Sequence, residues 1–140
     1  MSEQLVIDNS VVMSWCFKDE ANPYADMVLD WLTESTAYVP HIWSLEVLNV
    51  LLVAERRKRL SEADSTRFLT LLSQLPIAIQ QDAPDKVMNE ILALARANNL
   101  SSYDAAYLDL AMRKGVPLAT LDKKLKRAAK KMDVPIFTIK

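Results

Sequence analysis

Short apolar runs alternate along this chain with segments whose apolar residues recur at helical spacing. Five runs are strand-like, and they occupy residues 5–7, 37–39, 77–79, 116–120 and 134–138. The runs are largely apolar rather than alternating, which is typical of strands buried on both faces of a parallel sheet. The sequence therefore predicts an α/β fold, a three-layer α/β/α sandwich whose parallel sheet has about five short strands.

Helical patterns fill the intervals between these runs. The strand at 5–7 is expected to turn into a helix after Asp8, at residues 10–13. Further helices are expected over about 23–34, 44–60, 61–75, 84–98, 101–114 and 122–132. Ser44, Ser61 and Ser101 are predicted N-caps, and Gly115, the only glycine, is predicted to end the helix that Ser101 begins. A chain of 140 residues has room for one core, so we assign residues 1–140 to a single domain.

Scarce residue types exclude several kinds of site. One glycine cannot supply the Gly-rich turn of a dinucleotide fingerprint or of a P-loop. One histidine, His41, and one cysteine, Cys16, supply neither a disulfide framework nor the ligands of a His/Cys zinc site. The first residues are acidic rather than basic, and the longest uncharged run is too polar to span a membrane, so we expect a soluble cytoplasmic protein.

The charge is distributed unevenly, although the net charge is only −1. Residues 1–50 contain eight acidic and one basic residue, whereas residues 113–140 contain nine basic and two acidic residues. If the two ends fold against each other, an acidic centre lies beside a basic flank. That arrangement suits a metal-dependent enzyme that acts on a polyanion.

Two acids follow predicted strands. Asp8 comes directly after the run at 5–7, and Asp122 comes shortly after the run at 116–120. In open parallel sheets the functional crevice lies beyond the carboxyl ends of the strands. We therefore expect both carboxylates to reach that crevice.

Two further acids interrupt apolar helical faces. Every residue from 45 to 54 is apolar except Glu46 and Asn49, which share one helix face. Asp104 interrupts a second apolar stripe, formed by Leu100, Tyr107, Leu108 and Ala111. An ionised carboxylate buried on such a face is costly unless it is paired or bound to a cation.

Each acid alone also has an ordinary structural explanation. Acids are favoured in first helical turns, Ser101 and Asp104 resemble a capping box, and Asp8 fits a turn. No basic residue, however, adjoins Asp8, Glu46 or Asp104 in the sequence. A hard divalent cation such as Mg²⁺, which prefers carboxylate oxygens and retained waters, would neutralise them.

The acids lie in four segments, residues 6–10, 43–49, 103–107 and 118–122, with the sequences VIDNS, WSLEVLN, YDAAY and LATLD. In this order, the segments resemble those of the PIN-domain family, especially the VapC-type toxins of bacterial and archaeal toxin–antitoxin pairs. The resemblance covers essentially the whole chain. It implies a metal-dependent endoribonuclease, and it implies Mg²⁺ or Mn²⁺ as the cofactor.

The resemblance also assigns roles to individual residues. It implies that the catalytic acids are Asp8, Glu46, Asp104 and Asp122. Asp8, Asp104 and Asp122 are expected to be metal ligands, directly or through water, and Glu46 is expected to be a ligand or to orient the water. Supporting polar residues are Ser10, Asn49 and Thr120.

A basic run occupies the predicted helix 122–132. We expect Lys123, Lys124 and Arg127 to contact RNA phosphates, although an amphipathic surface helix with solvated cations explains the run equally well. His41 is expected to have a surface or packing role, and Asp109 is expected to point away from the acids into solvent.

The resemblance implies an RNA substrate, a cognate antitoxin that places a basic side chain among the acids, and a homodimer. The residues leave the class of RNA and the number of metal ions open.

A catalytically silent PIN-like module that binds RNA or a protein is the alternative, but such a module would be expected to have lost one of the acids. A receiver domain or a dehalogenase-type phosphatase would need acids at other positions; the latter needs one where Ser10 stands.

Overall fold

A computed structural model of the chain describes residues 3–81 and 84–138. A parallel four-stranded sheet lies at its centre, with the strand order β3-β2-β1-β4. The strands are β1 (Gln4–Ile7), β2 (Thr36–Pro40), β3 (Ile77–Gln80) and β4 (Leu118–Ala119). The predicted α/β class is confirmed, and the sheet is flanked by helices.

The helices occupy the predicted intervals, including the helix expected immediately after β1. They are α1 (Asn9–Cys16), α2 (Pro23–Trp31), α3 (Trp43–Arg56), α4 (Glu62–Ser73), α5 (Pro84–Asn98), α6 (Ser102–Lys114) and α7 (Lys123–Lys131). A single 3₁₀ turn, Lys18–Glu20, follows α1. In the part of the chain that the structure describes, every helix is too short or too polar to cross a membrane.

The fifth predicted strand, at 134–138, is reduced to one parallel bridge between Ile136 and Leu118. Two backbone hydrogen bonds flank the bridge: Leu118 donates to the Pro135 carbonyl at 2.9 Å, and Phe137 donates to the Leu118 carbonyl at 2.8 Å. Proline has no N–H to donate to a ladder, and both Pro117 and Pro135 lie in these segments. The pairing therefore ends after one bridge.

The predicted cap at Ser44 is wrong. Helix α3 begins one residue earlier, and its N-cap, Ile42, already has helical dihedral angles and no side-chain cap bond. An N-cap side chain can reach the first amides only from an extended backbone. Ser44 is inside the first turn and cannot do so.

The other predicted caps are confirmed. Ser61 and Asp64 form a complete capping box at the start of α4. The Ser101 hydroxyl accepts from the Asp104 amide at 3.1 Å, and Gly115 ends α6 in the left-handed region with φ 64°.

The core surrounds β1. Leu5, Val6 and Ile7 have no exposed surface, and Tyr107 and Leu108 of α6 are equally buried. The expectation that Asp109 is solvated is wrong: this residue is 7% exposed, and its carboxylate accepts from Arg113 Nε at 2.8 Å. The ion pair within one helical turn lets the carboxylate lie against the core. Because β1 lies at the buried centre of the sheet, the position of Asp8, the residue that follows it, is fixed.

We expect Gly115→Ala to lower the free energy of unfolding by about 1 kcal/mol, because an L-residue is strained at a positive φ. The added methyl group itself meets nothing within 4 Å, so the loss reports backbone strain alone. Urea denaturation measures it. Met112→Ala, an exposed change in the same helix, is the control and should shift stability by less than about 0.5 kcal/mol. A Gly115→Ala protein as stable as the original would contradict this account of the helix end.

Candidate active site

The pairing of β1 with β4 creates the site. The two strands are parallel neighbours, with Ile7 opposite Ala119, so their carboxyl ends open on the same edge of the sheet. The chain runs from β1 to β2 on one side and returns to β4 on the other. This is a point at which the strand order reverses, where α/β sheets form their crevices.

Asp8 is held by three hydrogen bonds at this edge. The Ser10 and Thr120 hydroxyls donate to its Oδ2 at 2.7 and 2.8 Å, and the Asn9 amide donates to Oδ1 at 2.8 Å. Asp8 is 5% exposed and Thr120 is completely buried. The carboxylate therefore has one fixed orientation.

The same two hydroxyls fix the turn after β4. The Leu121 amide donates to Ser10 Oγ at 2.9 Å, and the Asp122 amide donates to Thr120 Oγ1 at 3.0 Å. Asp122 then caps α7, because its Oδ1 accepts from the amides of Lys124 and Leu125. Ser10 and Thr120 thus link the carboxylate after β1 to the acid after β4.

Glu46 enters from α3 and is half-buried. The Tyr107 hydroxyl donates to Glu46 Oε1 at 2.6 Å. Burial, followed by this bond, raises the pKa of Tyr107, so the phenol remains a donor. Asn49, expected to support Glu46, is exposed; it lines a surface cavity with Glu46, but no hydrogen bond joins the two side chains.

Sequence reasoning missed the role of Tyr107 because it counted the residue as part of an apolar stripe. A signal was present: a buried tyrosine usually finds a partner for its hydroxyl, and this one lies one turn after Asp104. The identity of the partner, on another helix, depends on the tertiary fold.

Asp104 lies in the first turn of α6 and is partly exposed. Its amide is capped by Ser101, yet its carboxylate does not return a bond to the Ser101 amide, unlike the Asp64 carboxylate in α4. Only the half of a capping box that holds the Asp104 amide is therefore complete, and the Ser101 hydroxyl lowers the pKa of the Asp104 carboxyl less than desolvation raises it.

The four acids, Asp8, Glu46, Asp104 and Asp122, lie close enough to influence one another. Desolvation is the largest cause that raises the pKa of Asp8, and the hydroxyls of Ser10 and Thr120 partly oppose it. Desolvation likewise raises the pKa of Glu46 and of Asp104. The charge of Asp122 adds to the increase at Asp8 and Asp104, and the charges of Asp8 and Asp104 add to it at Glu46. The structure thus gathers all four predicted acids into one electrostatic unit.

The donor set fits a hard divalent cation. Within residues 3–81 and 84–138, no Lys or Arg forms an ion pair with any of the four acids. Nor do three or more His, Cys, Asp or Glu side chains in those ranges lie close enough to enclose an ion by themselves. Mg²⁺ needs only one or two carboxylates because it keeps several waters. These carboxylates repel one another and have no cationic partner among the described residues. Their oxygens are therefore suitable ligands for such an ion.

The basic residues predicted to contact RNA border the four acids. Lys123, Lys124 and Arg127 are exposed in the first turns of α7, directly after Asp122. The charge of Lys124 opposes the pKa increase at Asp104, which places the ammonium group within electrostatic range of that acid.

His41 is exposed.

Comparison with known proteins identifies relatives over nearly the whole chain. The PIN domain family model matches residues 5–131. Ribonuclease VapC3 of Pyrobaculum aerophilum is 29% identical over 122 residues, which cover 87% of this chain and 92% of that protein.

Solved structures share the fold. PAE2754 from Pyrobaculum aerophilum superposes with a TM-score of 0.70 at 22% identity and covers 91% of this chain and 86% of its own. VapBC2 from Rickettsia felis, bound to a DNA fragment from its promoter, gives 0.69 at 12% identity, covering 96% of this chain and 97% of its own. FitAcB from Neisseria gonorrhoeae gives 0.64 at 20% identity and covers 96% of both chains.

We expect the metal-free protein to lose stability as the pH rises from the ordinary carboxyl range toward neutrality. The raised pKa values of Asp8, Glu46 and Asp104 mean that the folded chain holds protons which the unfolded chain has released, so the free energy of unfolding falls across that window. Urea denaturation at several pH values in a chelator measures this. Asp104→Asn should weaken the pH dependence and stabilise the metal-free protein at neutral pH.

Glu90→Gln, a change at an exposed acid of α5, is the control for this measurement and should leave the slope intact. A metal-free protein that is most stable at neutral pH, with Asp104→Asn less stable than the original there, would contradict the repulsion among the four acids.

Proposed function

This chain belongs to the PIN domain family, and from that premise we propose that it is a metal-dependent endoribonuclease, the toxin of a toxin–antitoxin pair that a cognate antitoxin inhibits. The observation that carries the proposal is the electrostatic unit of four acids at the point where the strand order reverses. The likeness to Ribonuclease VapC3 supports the same activity.

We assign the metal to these residues as follows. Asp8, Asp104 and Asp122 would hold Mg²⁺ or Mn²⁺ directly or through water, and Glu46 would be a further ligand or would orient the attacking water. When bound, the ion activates water and stabilises the charge that develops on the attacked phosphodiester.

The chain's own side chains set the geometry around that ion. Ser10 and Thr120 hold the Asp8 carboxylate in one orientation, and Tyr107 holds the Glu46 carboxylate. Because buried hydroxyl donors restrict these carboxylates, little reorganisation is needed when a substrate arrives. The exposed amide of Asn49, in the cavity beside Glu46, is available to a bound water or to the substrate.

The RNA backbone is assigned to the start of α7. Lys123, Lys124 and Arg127 offer cations next to Asp122, so the phosphates that flank the cut can be bound at the edge of the acidic site. The acids themselves repel a polyanion, and the neighbouring cations offset that repulsion.

A protein partner follows from the same electrostatics. A basic side chain of an antitoxin would pair with the four acids and displace the metal, which explains inhibition. The toxin–antitoxin complex from Klebsiella pneumoniae, which shares this fold, supports a partner of this kind. We further propose that the chain forms a homodimer.

Cleavage of total cellular RNA by the purified, partner-free protein tests the activity. We expect discrete cuts that require Mg²⁺ or Mn²⁺ and disappear with a chelator. Asp8→Asn and Asp104→Asn should each lower the rate by about 100-fold or more, because they remove metal-binding charge. Ser10→Ala should raise the metal concentration required by about 10- to 100-fold rather than abolish cleavage.

Glu46→Gln and Glu55→Gln form a matched pair on α3, and only the former should impair cleavage. A folded, partner-free protein that binds RNA or an antitoxin but does not cut would contradict the nuclease proposal and favour a silent binding module. Cuts that persist in Asp8→Asn would indicate a contaminating nuclease.

Neutralising the basic start of α7 should weaken RNA binding without changing which sites are cut. Lys123→Gln, Lys124→Gln and Arg127→Gln should each lower the slope of log affinity against log salt by about 1, as expected for the loss of one phosphate contact. Fluorescence anisotropy with the Asp8→Asn protein measures the slope. Arg67→Gln, on α4, is the control and should leave the slope unchanged; equal slopes in all four proteins would exclude α7 from the RNA interface.

A further inference from the structure

Three consecutive cations, Arg56, Arg57 and Lys58, lie at the C-terminal end of α3, whereas Glu46 lies in its first turn. We propose that this basic turn is a second RNA-binding site, which holds backbone phosphates of the substrate away from the bond that is cut. The inference rests on the proposed nuclease function and adds to it a binding site outside the four acids.

The three cations of the basic turn are available to an anionic ligand. All of them are exposed, and none forms an ion pair in the part of the chain that the structure describes. The acids nearby are engaged by the next residue instead: Arg59 Nη2 lies 3.1 Å from Asp19 Oδ1 and 3.1 Å from Glu20 Oε2. The turn therefore presents positive charge that the fold itself does not neutralise.

Arg59 also holds the basic turn in place. Its guanidinium lies over the buried ring of Phe17, 4.2 Å from the ring centroid. Its amide donates to the Ala54 carbonyl at 2.8 Å, and the Lys58 amide donates to the Glu55 carbonyl at 3.0 Å. Because the backbone of the turn is fixed, binding an anion there orders side chains only.

Lys58 has a backbone conformation that lysine rarely adopts. Four of the described residues have a positive φ, and three of them, Asn99, Asp133 and Gly115, are of types that tolerate it. The fourth is Lys58, with φ 60°. The helix dipole favours a cation at this end of α3, but the two preceding arginines already supply that charge. A lysine in a strained position therefore indicates a use for its ammonium group, since strained residues cluster at functional positions.

The basic turn is within reach of a strand that is bound at the four acids. Arg57 follows Glu46 by 11 positions, which is about 16 Å along the axis of α3. Asn49, in the cavity beside Glu46, and Arg56 are seven positions apart, so these two exposed residues share one face of the helix. A polyanion that leaves the acids along this face meets the basic turn.

The chemistry of the turn favours a phosphodiester backbone over a membrane or an acidic peptide. Two of the three cations are arginines, whose planar guanidinium group binds a phosphate through two parallel hydrogen bonds. Residues 55–59 include no apolar side chain that could enter a lipid bilayer. RNA carries a charge at every nucleotide, so a single strand can occupy the acids and the adjacent cations of the turn together.

The test measures RNA affinity at several salt concentrations by fluorescence anisotropy in Mg²⁺. The RNA is a fluorescein-labelled single strand of about 20 nucleotides, long enough to cover both sites. The protein carries Asp8→Asn to prevent cleavage, and Asp104→Asn replaces it if the first variant does not fold. Adding Arg56→Gln, Arg57→Gln and Lys58→Gln together should weaken binding by about 10-fold or more and lower the slope of log affinity against log salt by about 3.

Arg96→Gln is the matched control, because Arg96 is an exposed cation in the last turn of another helix, α5. It should leave both the affinity and the slope unchanged. Equal losses in this control and in the triple variant would show a general effect of charge and would overturn the second site.

Lys58→Gly separates RNA binding from folding. Glycine relieves the strain at the positive φ, so the urea midpoint should rise, whereas the salt slope should fall by about 1. A loss of affinity in a more stable protein cannot come from unfolding. Lys58→Arg keeps the charge and should retain the slope. Unchanged slopes in Lys58→Gly and in the triple variant would overturn the second site.

Cleavage kinetics distinguish this inference from the proposed function. In the otherwise wild-type protein, the triple variant should raise KM for RNA and keep kcat within about 2-fold, because the turn does not touch the bond that is cut. An unchanged KM would overturn the second site while the nuclease function stands. Retained RNA affinity with lost binding of poly-glutamate would identify a protein-docking surface and would overturn it as well; if the original protein neither binds nor cuts RNA, both proposals fail.

Discussion

The hydrogen bond from Thr120 to the Asp8 carboxylate joins residues that are 112 positions apart in the chain. It exists because β1 and β4 pair in parallel at the centre of the sheet, so the ends of both strands reach one edge. Everything else at the site is arranged around this contact. Ser10 and Thr120 fix the turn that carries Asp122, while α3 and α6 bring Glu46 and Asp104 to the same edge, and α7 begins there with its cations.

The burial and mutual repulsion of the four acids lower the stability of the metal-free fold, and the core must offset that loss. Three of its carboxyl groups have raised pKa values because burial and mutual repulsion oppose their ionisation. The structure tolerates this because β1 and the facing part of α6 are fully buried, and because hydroxyl donors hold the carboxylates. Under our proposal, a bound cation would relieve the repulsion that destabilises the metal-free chain.

The parts of the structure that sequence predicted are those that depend on local pattern. Apolar runs predicted the strands and their parallel arrangement. Ser61 and Ser101 begin their helices and Gly115 ends one, as expected. The errors at Ser44 and Asp109 concern local details that apolar periodicity does not resolve. Ser44 lies inside α3 because the loop before it is already helical, and Asp109 is buried through its pair with Arg113. Helical periodicity placed Glu46 and Asp104 on apolar faces, but only the packing of α3 against α6 reveals that Tyr107 holds Glu46.

The central claim is that Asp8, Glu46, Asp104 and Asp122 together bind a divalent metal ion at the edge of the sheet. The most direct measurement is a crystal structure of the protein with Mn²⁺, with data collected at a wavelength that reveals the anomalous signal of manganese. We expect a single strong site, or a close pair of sites, in contact with Asp8 and at least one of the other three carboxylates. Manganese bound elsewhere, or an acidic edge that remains without metal at saturating Mn²⁺, would contradict the account.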